Sequence, residues 1–265
     1  MRFSVVHTTR YRYDAPVYLE PHTFRFRPRD DGAQRLLRYS LEISPAEAGR
    51  ADLLDREGNV VTQAWFTGQI ETLEVRSEFE AETLRENPFD FLMAQSDRRL
   101  PGAASSSLAI ADFARSIAAA ANHHTIPFLT ALTKSVCDSF RQVLRRDGAP
   151  FDPEATLRAG EGSCRDLAVL FCAACRAAGL TARFVSGYER EASLQENGEL
   201  HAWAEVYLEG GGWRGFDPSR GLAVAESHVA VAASMDPRLA APVTGTYRGS
   251  AKSTLDFQIE MATHR

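Results

Sequence analysis

Cys164 stands where a thiol can become a nucleophile. It follows Gly160-Glu161-Gly162-Ser163 and opens a run of helical periodicity, Cys164 to Ala178, with Gly179 just beyond it. A glycine-containing turn leading into such a run predicts a cysteine in the first turn of a helix, and glycine past the last turn is a common helix stop. Backbone N–H groups at a helix start carry partial positive charge. Cysteines so placed have pKa values of about 3.5–7.5, and the thiolate is the reactive form. Gly160 and Gly162 allow close backbone approach to a reacting carbonyl. The Cys164 N–H is one donor for a tetrahedral oxyanion; the sequence does not identify a second. The competing reading, a small apolar core residue, leaves the helix-start position without a reason.

The other cysteines read differently. Cys172 and Cys175 fall in mid-helix beside Leu170, Phe171 and Ala174. A redox C-x-x-C pair would have its first cysteine at a helix start, and a zinc site would need two further ligands nearby. Neither is present, so both are expected in the core, as is Cys137. An even count in a chain this long, without a secretory leader, does not imply disulfides.

Two further motifs supply a base and a carboxylate. In His201-Ala202-Trp203-Ala204-Glu205-Val206-Tyr207-Leu208, a strand would place His201, Trp203, Glu205 and Tyr207 on one face. Glu209-Gly210-Gly211-Gly212 is a turn, and Trp213-Arg214-Gly215-Phe216-Asp217-Pro218 returns as the second strand, ended by its proline. With the turn centred near Glu209, Asp217 lies opposite His201; a slip moves its partner to position 202 or 203. Opposed side chains have Cβ atoms about 4.5–5.5 Å apart, so the carboxylate comes within reach of the imidazole. It would then fix the tautomer and stabilise the imidazolium. A histidine on a strand or an Asp-Pro turn is commonplace alone; the joint occurrence with a helix-start cysteine is what carries the reading. Three neighbours are secondary candidates. Arg165 is placed to meet a substrate carboxylate or a nearby acid. Asp166 either shapes the site or complements the helix dipole. Trp203 either shields an acyl intermediate or packs in the core. Histidines 7, 22, 123, 124, 228 and 264 have no matching context and are assigned no role.

The elements that must hold these residues follow from periodicity. In residues 3–13, Phe3, Val5, His7, Thr9, Tyr11 and Tyr13 share one face. Leu37, Tyr39, Leu41 and Ile43 alternate with polar residues, as do Leu73, Val75, Ser77, Phe79 and Ala81. Period-two patterning with one polar face indicates antiparallel sheet, and Asp55–Asn59 is a turn. Leu100–Ser107 reads as a linker. Beyond it the pattern is helical: residues 107–121 follow three serines fit to cap a helix, residues 128–145 carry apolar groups at three- and four-residue spacing, and Asp152-Pro153 starts another helix. The last segment alternates again, with Leu255, Phe257, Ile259 and Met261 on one face, and is expected to close a sheet edge. The fold class is α+β: an N-terminal antiparallel β-sandwich in residues 1–98, then a unit of helices packed on an antiparallel sheet in residues 105–265.

Bulk properties exclude several classes. A net charge of −5 in 265 residues and a pI near 5.8 do not describe a nucleic-acid binder. No apolar stretch approaches a membrane span. Met1–Thr8 shows no signal-peptide pattern, so a cytoplasmic location is expected. No acidic calcium loop is present, and no cofactor or metal is expected. The oligomeric state is left open.

Four pieces together resemble the bacterial transglutaminase-like superfamily: G-x-C-R-D-x-A at Gly162–Ala168, A-R-F-V-S-G-Y at Ala182–Tyr188, H-A-W-A-E-V at His201–Val206 and G-W-R-G-F-D-P at Gly212–Pro218. The resemblance runs from about residue 105 to the end. Arg25–Pro28 and the Asp55–Asn59 turn also resemble the β-domain that precedes this core in one bacterial branch. The resemblance implies a papain-like core with a Cys-His-Asp triad at Cys164, His201 and Asp217. His201 follows Cys164 by about 37 residues, whereas papain-type peptidases space the pair by about 130–150. The implied activity is acyl transfer from an amide through a thioester, with hydrolysis of peptide-like amides expected first. Glutamine–lysine cross-linking, glycan-amide hydrolysis and a non-catalytic binding module are the alternatives. The expected partner is a peptide or protein amide.

Overall fold

The computed structural model describes residues 1–91, 99–102, 106–145, 148–190 and 199–264. Part of the expected linker, and most of the glutamate-bearing 190–199 segment before the His201 motif, lie outside these residues.

The first third supplies β1 (Arg2–Leu19), β2 (His22–Phe24), β3 (Gln34–Ser44), β4 (Gly49–Leu54), β5 (Val60–Trp65) and β6 (Ile70–Thr83). Then come α1 (Leu108–Ala120), α2 (Thr125–Ser139), β7 (Arg141–Gln142), α3 (Pro153–Ala159), β8 (Glu161–Gly162) and α4 (Cys164–Ala177). A second strand-rich stretch contains β9 (Ala182–Glu189), β10 (His201–Leu208), β11 (Gly212–Asp217), β12 (Leu222–Ala223) and β13 (His228–Ser234). The chain closes with β14 (Val243–Thr244), β15 (Tyr247–Arg248) and β16 (Ser253–His264).

The first sheet runs β15-β1-β6-β3, with β16 paired along the first residues of β1. The chain's two ends therefore lie side by side. β16 does close a sheet edge, and the edge belongs to the first sheet although residues 253–264 follow the core in sequence. Strands this long serve two partners with one face. Tyr13, Val17, Leu73 and Val75 pack against Phe24, Phe26 and Ala64, over the second sheet, β14-β2-β5-β4. Further along the same strands, Phe3, Val5, Phe79 and Ala81 pack against Tyr188, Val229 and Val231 of the core. The opposite face carries cross-strand pairs such as Arg2–Glu80 and Arg10–Glu74. At this exposure such pairs add little stability, but they keep the pleat's outer side polar. β3 departs from simple alternation: its pairing with β6 shifts between Leu36 and Arg38, and Leu37, expected inside, is 42% exposed. An extra residue in one strand sends everything before it to the opposite face from the one period two predicts.

The core sheet is antiparallel in the order β12-β11-β10-β9-β13. α4 lies on it, flanked by α1 and α2, and Leu167, Leu170, Phe171, Ala174 and Cys175 meet Phe128, Leu132, Ala204, Val206 and Phe216. α2 ends earlier than its periodicity predicts. Phe140 is extended at φ −109°, ψ 132°, because Arg141 N–H donates to Gly160 O at 2.9 Å and Val143 N–H to Gly162 O at 3.0 Å. Those bonds pair β7 with β8 and lay residues 142–145 beside the loop that leads to Cys164. No described helix is long and apolar enough to cross a membrane.

β13 is an edge strand of the core sheet, and the β-domain covers it with side-chain amides. Gln34 donates to Ala230 O and accepts from Ala230 N–H, both at 2.8 Å. Asn59 does the same at Ala233, at 2.8 and 2.9 Å. Each carboxamide imitates a neighbouring peptide group, which satisfies an edge that would otherwise expose its donors and acceptors. The two clamps bracket a break in register between Ala230 and Ala232. Asn59→Ala should lower the unfolding free energy by about 2–4 kcal/mol, because two buried backbone groups lose their partners. A shift of the urea midpoint at unchanged slope is the expected result; a change below about 0.5 kcal/mol would mean that water replaces the clamp.

Candidate active site

The position of Cys164 is built by Asp166. This residue has no exposure. One oxygen accepts from Ser163 N–H at 2.8 Å and Ser163 Oγ–H at 2.6 Å, closing a capping box at the start of α4. The other accepts from Phe151 N–H at 2.7 Å and from Arg145 at 2.5 Å. Burial alone would raise its pKa; the Ser163 and Phe151 donors and the Arg145 charge bring it below the usual carboxylate value. Gly162 is required here, since a Cβ would lie 2.8 Å from Asp166 Cβ. Cys164, the first residue of α4, is thereby held half-exposed at a fixed angle. Arg165 turns back to donate to the Arg145 carbonyl. Cys172 and Cys175 are buried on the same helix. Burial pushes the Cys172 thiol up to about 12 and Cys175 well above its ordinary value.

The β10–β11 ladder pairs Leu208 with Gly212 and Ala204 with Phe216. Its turn is thus centred on Gly210, at φ +84°, one residue later than the register that sets Asp217 opposite His201. The next pair in the ladder is Trp203 with Asp217. His201 reaches the carboxylate along the diagonal, and its Nε2 lies 2.6 Å from Asp217 Oδ2. Gly187 leaves the room this face needs: a Cβ there would lie 2.7 Å from the Trp203 ring and 2.1 Å from Val229 O. Trp203 is 2% exposed and lies beneath the histidines. Its ring is 6.2 Å from His201, nearly parallel, and 5.0 Å from His228, edge-on.

Asp217 has no exposure and collects five hydrogen bonds. Oδ2 accepts from His201 and, at 3.0 Å, from His228 Nε2. Oδ1 accepts from Ser219 N–H at 2.9 Å, Ser219 Oγ–H at 2.7 Å and Arg220 N–H at 3.2 Å. Burial pushes this carboxyl up, but the His201 charge and the histidine hydrogen bonds outweigh it and hold it well below the carboxylate range. For His201 burial works toward the neutral ring; the Asp217 charge and hydrogen bond, with the Cys164 sulfur as a further acceptor, reverse this and raise it to about 10. With Nε2 committed to Asp217, Nδ1 is the ring nitrogen left for the thiol.

Sequence reasoning missed His228 and Ser219. Ser219 had a signal, since Asp-Pro-Ser is a pattern in which an aspartate accepts from the N–H two residues on. His228 had a weaker one, as the single polar residue opening the apolar strand His228-Val-Ala-Val-Ala-Ala. His201, Asp217 and His228 offer donor atoms within 4.8 Å of one another. Here both Nε2 atoms already face one oxygen at hydrogen-bond distance. A cation would have to displace both protons and take from His201 the contact that orients it.

Cys164 and His201 open on a cavity of about 660 Å³. Phe184 and Arg165 line it from the core. Thr9 and Tyr11 of β1 and Leu255 and Phe257 of β16 line it from the β-domain. The thiol therefore faces the seam between the two units.

Residues 3–82 match the bacterial transglutaminase-like N-terminal region, and residues 111–218 match the transglutaminase-like superfamily. Uncharacterized proteins of Mycobacterium leprae and Mycobacterium tuberculosis are each 26% identical to the chain, over 283 and 292 residues. The alignments cover 98% of this chain and 98% and 92% of theirs. A solved structure from Cytophaga hutchinsonii, of a protein proposed to be a cysteine protease, shares the fold with a TM-score of 0.71. The match covers 99% of this chain and 90% of that one at 22% identity.

The two shifts in the His201–Asp217 pair act on stability in different pH ranges. His201 binds its proton more tightly when folded, so its contribution is full below the free value of 6.5 and is lost as pH rises toward about 10. Asp217 binds its proton less tightly when folded, so its contribution is full above the free value of 3.8 and is lost as pH falls below it. Both are complete between about pH 4 and 6.5. Buried His7, pushed down to about 3 by desolvation, opposes folding below pH 6.5, but it is common to any His201 variant and cancels in the difference. Urea unfolding of wild type and His201→Gln should therefore differ most between pH 4 and 6.5, and the gap should shrink steadily toward pH 9. A gap that stays flat to pH 9 contradicts a charged, paired His201.

Proposed function

Because the chain belongs to the transglutaminase-like superfamily, through both its N-terminal region and its core, we propose that it is a cysteine-dependent acyl-transfer enzyme acting on peptide-like amides. Cys164 is the nucleophile, His201 the proton carrier and Asp217 the residue that orients the histidine. The observation that carries the reading is His201 itself. It is held on a buried carboxylate at 2.6 Å and is influenced by Cys164, which lines the same cavity.

In this reading the thiolate attacks the amide carbonyl carbon. The oxyanion that forms is met by the Cys164 N–H at the start of α4, where the helix dipole adds positive potential. The C–N bond breaks, His201 gives its proton to the departing nitrogen, and the acyl group stays on sulfur as a thioester. Neutral His201 then takes a proton from water as the oxygen attacks. The C–S bond breaks, and the thiolate and imidazolium are restored. We favour water over an amine in this second half, because water is the more abundant acceptor. Arg165 lines the cavity and is assigned a substrate contact. Asp166 and Trp203 act from outside it, one through the helix start and the other through the imidazole.

The direct test is alkylation of Cys164 by iodoacetamide from pH 5 to 9, followed by peptide mass mapping to separate it from the other thiols. At pH 6 an ordinary thiol is only roughly 0.3% ionised. Wild type should thus react about a hundredfold faster than His201→Ala at that pH. An ordinary thiol profile in both would falsify the reading. Peptide turnover measured with and without an added primary amine then separates hydrolysis from transfer.

The cavity gives the β-domain a part in substrate binding. Tyr11→Ser and Leu255→Asp should lower kcat/KM on peptide amides about tenfold while the iodoacetamide rate stays within twofold, since one buried apolar contact is worth about 1–3 kcal/mol. Equal losses in both assays would mean that these residues support the thiol rather than the substrate.

A further inference from the structure

His228 lies outside the three residues of the proposed mechanism, yet it touches the same carboxylate oxygen as the base. Oδ2 of Asp217 is 2.6 Å from His201 Nε2 and 3.0 Å from His228 Nε2. A carboxylate oxygen only accepts, so both Nε2 atoms carry protons. The other ring nitrogen of His228, Nδ1, lies 2.9 Å from the Ser227 hydroxyl oxygen. The contacts form a chain from Ser227 to His228 and from His228 to Asp217 Oδ2, with His201 donating to the same oxygen. Glu189, the strand partner of His228 on β9, pairs with Arg220 at 2.8 Å.

Two features separate His228 from the other donors to Asp217. Ser219 and Arg220 belong to the same turn as the carboxylate and bind Oδ1, so they move with it. His228 comes from β13, the strand that the β-domain grips at Ala230 and Ala233. It is also buried, at 4% exposure, with the Trp203 ring against it. Of the donors to Asp217 among the described residues other than His201, it alone ties the carboxylate to a different strand.

We propose that His228 is a positioning residue of the nucleophile–base pair: it locks the Asp217 carboxylate through Oδ2, and through that carboxylate it sets the His201 ring so that Nδ1 faces Cys164. The proposal rests on the acyl-transfer reading, and it extends the site from three residues to a chain that reaches Ser227 and the strand clamped by the β-domain. Removing the donor lets the carboxylate and the imidazole turn together, and the thiolate loses its fixed imidazolium partner. Restoring an N–H at the same reach restores the pair; a glutamine Nε2 is the same number of bonds from Cβ as histidine Nε2.

The experiment measures Cys164 alkylation by iodoacetamide from pH 5 to 9 in the full chain, for wild type, His228→Leu, His228→Gln and Ser227→Ala, with thermal unfolding of each. In His228→Leu the acid limb should move up by more than one pH unit, toward the ordinary thiol value. His228→Gln should return to within about 0.3 unit of wild type. Ser227→Ala, at a partly exposed position, removes the partner of His228 Nδ1 and should give a smaller upward shift; it carries the test if His228→Leu does not fold. The proposal is overturned if folded His228→Leu keeps the wild-type limb, if Gln and Leu shift alike, or if only the melting temperatures change. An ordinary thiol profile in wild type itself would instead remove the acyl-transfer reading on which the proposal stands.

Discussion

A carboxylate with no contact with water is the constraint from which this site is organised. Placing one charged carboxylate in a protein interior costs several kcal/mol unless charge and hydrogen bonds compensate it. Asp217 meets that cost with five donors drawn from three places: the turn after β11, the base on β10 and the histidine on β13. The sheet order β11-β10-β9-β13 has to be present before they can converge. The compensation works in both directions. The histidine that neutralises the buried carboxylate is itself kept protonated by it, and a protonated imidazole at a cavity mouth is the group a thiolate needs beside it. Electrostatic stability and chemical readiness therefore come from one contact.

The β-domain is part of this arrangement. Its first sheet covers its own small partner sheet at one end and the core sheet at the other, on a single face. Gln34 and Asn59 complete the hydrogen bonding of β13, and β1 and β16 form a wall of the cavity. Because β16 pairs with β1, the last residues of the chain help hold the first in place. Separating the units would expose the edge of the core sheet, open the seam that the thiol faces and free the strand that carries His228. The N-terminal unit thus meets the core at three places: the packed face of its first sheet, the edge of β13 and the cavity wall.

What could be read from the sequence was local, and what could not was long-range. A cysteine after glycines at the head of an apolar-periodic run announces its own helix, and two apolar strands around a glycine turn announce a hairpin. The β-sandwich and the helices on an antiparallel sheet followed from period alone. The register of that hairpin did not: three consecutive glycines at 210–212 give the backbone several permitted turns, and Gly210 and Gly212 both adopt positive φ. Diagonal contact between His201 and Asp217 absorbed the difference. α2 stopped early because the backbone of residues 141–143 found partners in the loop before Cys164. Leu37 turned outward at a bulge that leaves no mark on alternation. His228 left only a weak mark, because its placement depends on pairing between β9 and β13, whose strands are separated in sequence by the whole β10–β11 hairpin.

The three cysteines of α4 show that placement, more than residue type, sets reactivity here. Cys164, Cys172 and Cys175 share a helix and its dipole. Burial removes the two inner thiols from thiolate chemistry, because the loss of water outweighs the nearby Arg176 charge. Cys164 sits where three conditions coincide: the first turn, whose N–H groups are fixed by the Ser163–Asp166 box; partial exposure to the cavity; and a hydrogen bond to an imidazole whose proton is held by Asp217. Each condition depends on a different buried side chain. Asp166 fixes the helix start, and Asp217 fixes the imidazole. Two carboxylates, both without exposure, thus stand on either side of the thiol without touching it. One fixes the helix start that carries Cys164, and the other fixes the His201 ring. Their separation in the fold allows the thiol to remain accessible while everything that directs it is shielded from water.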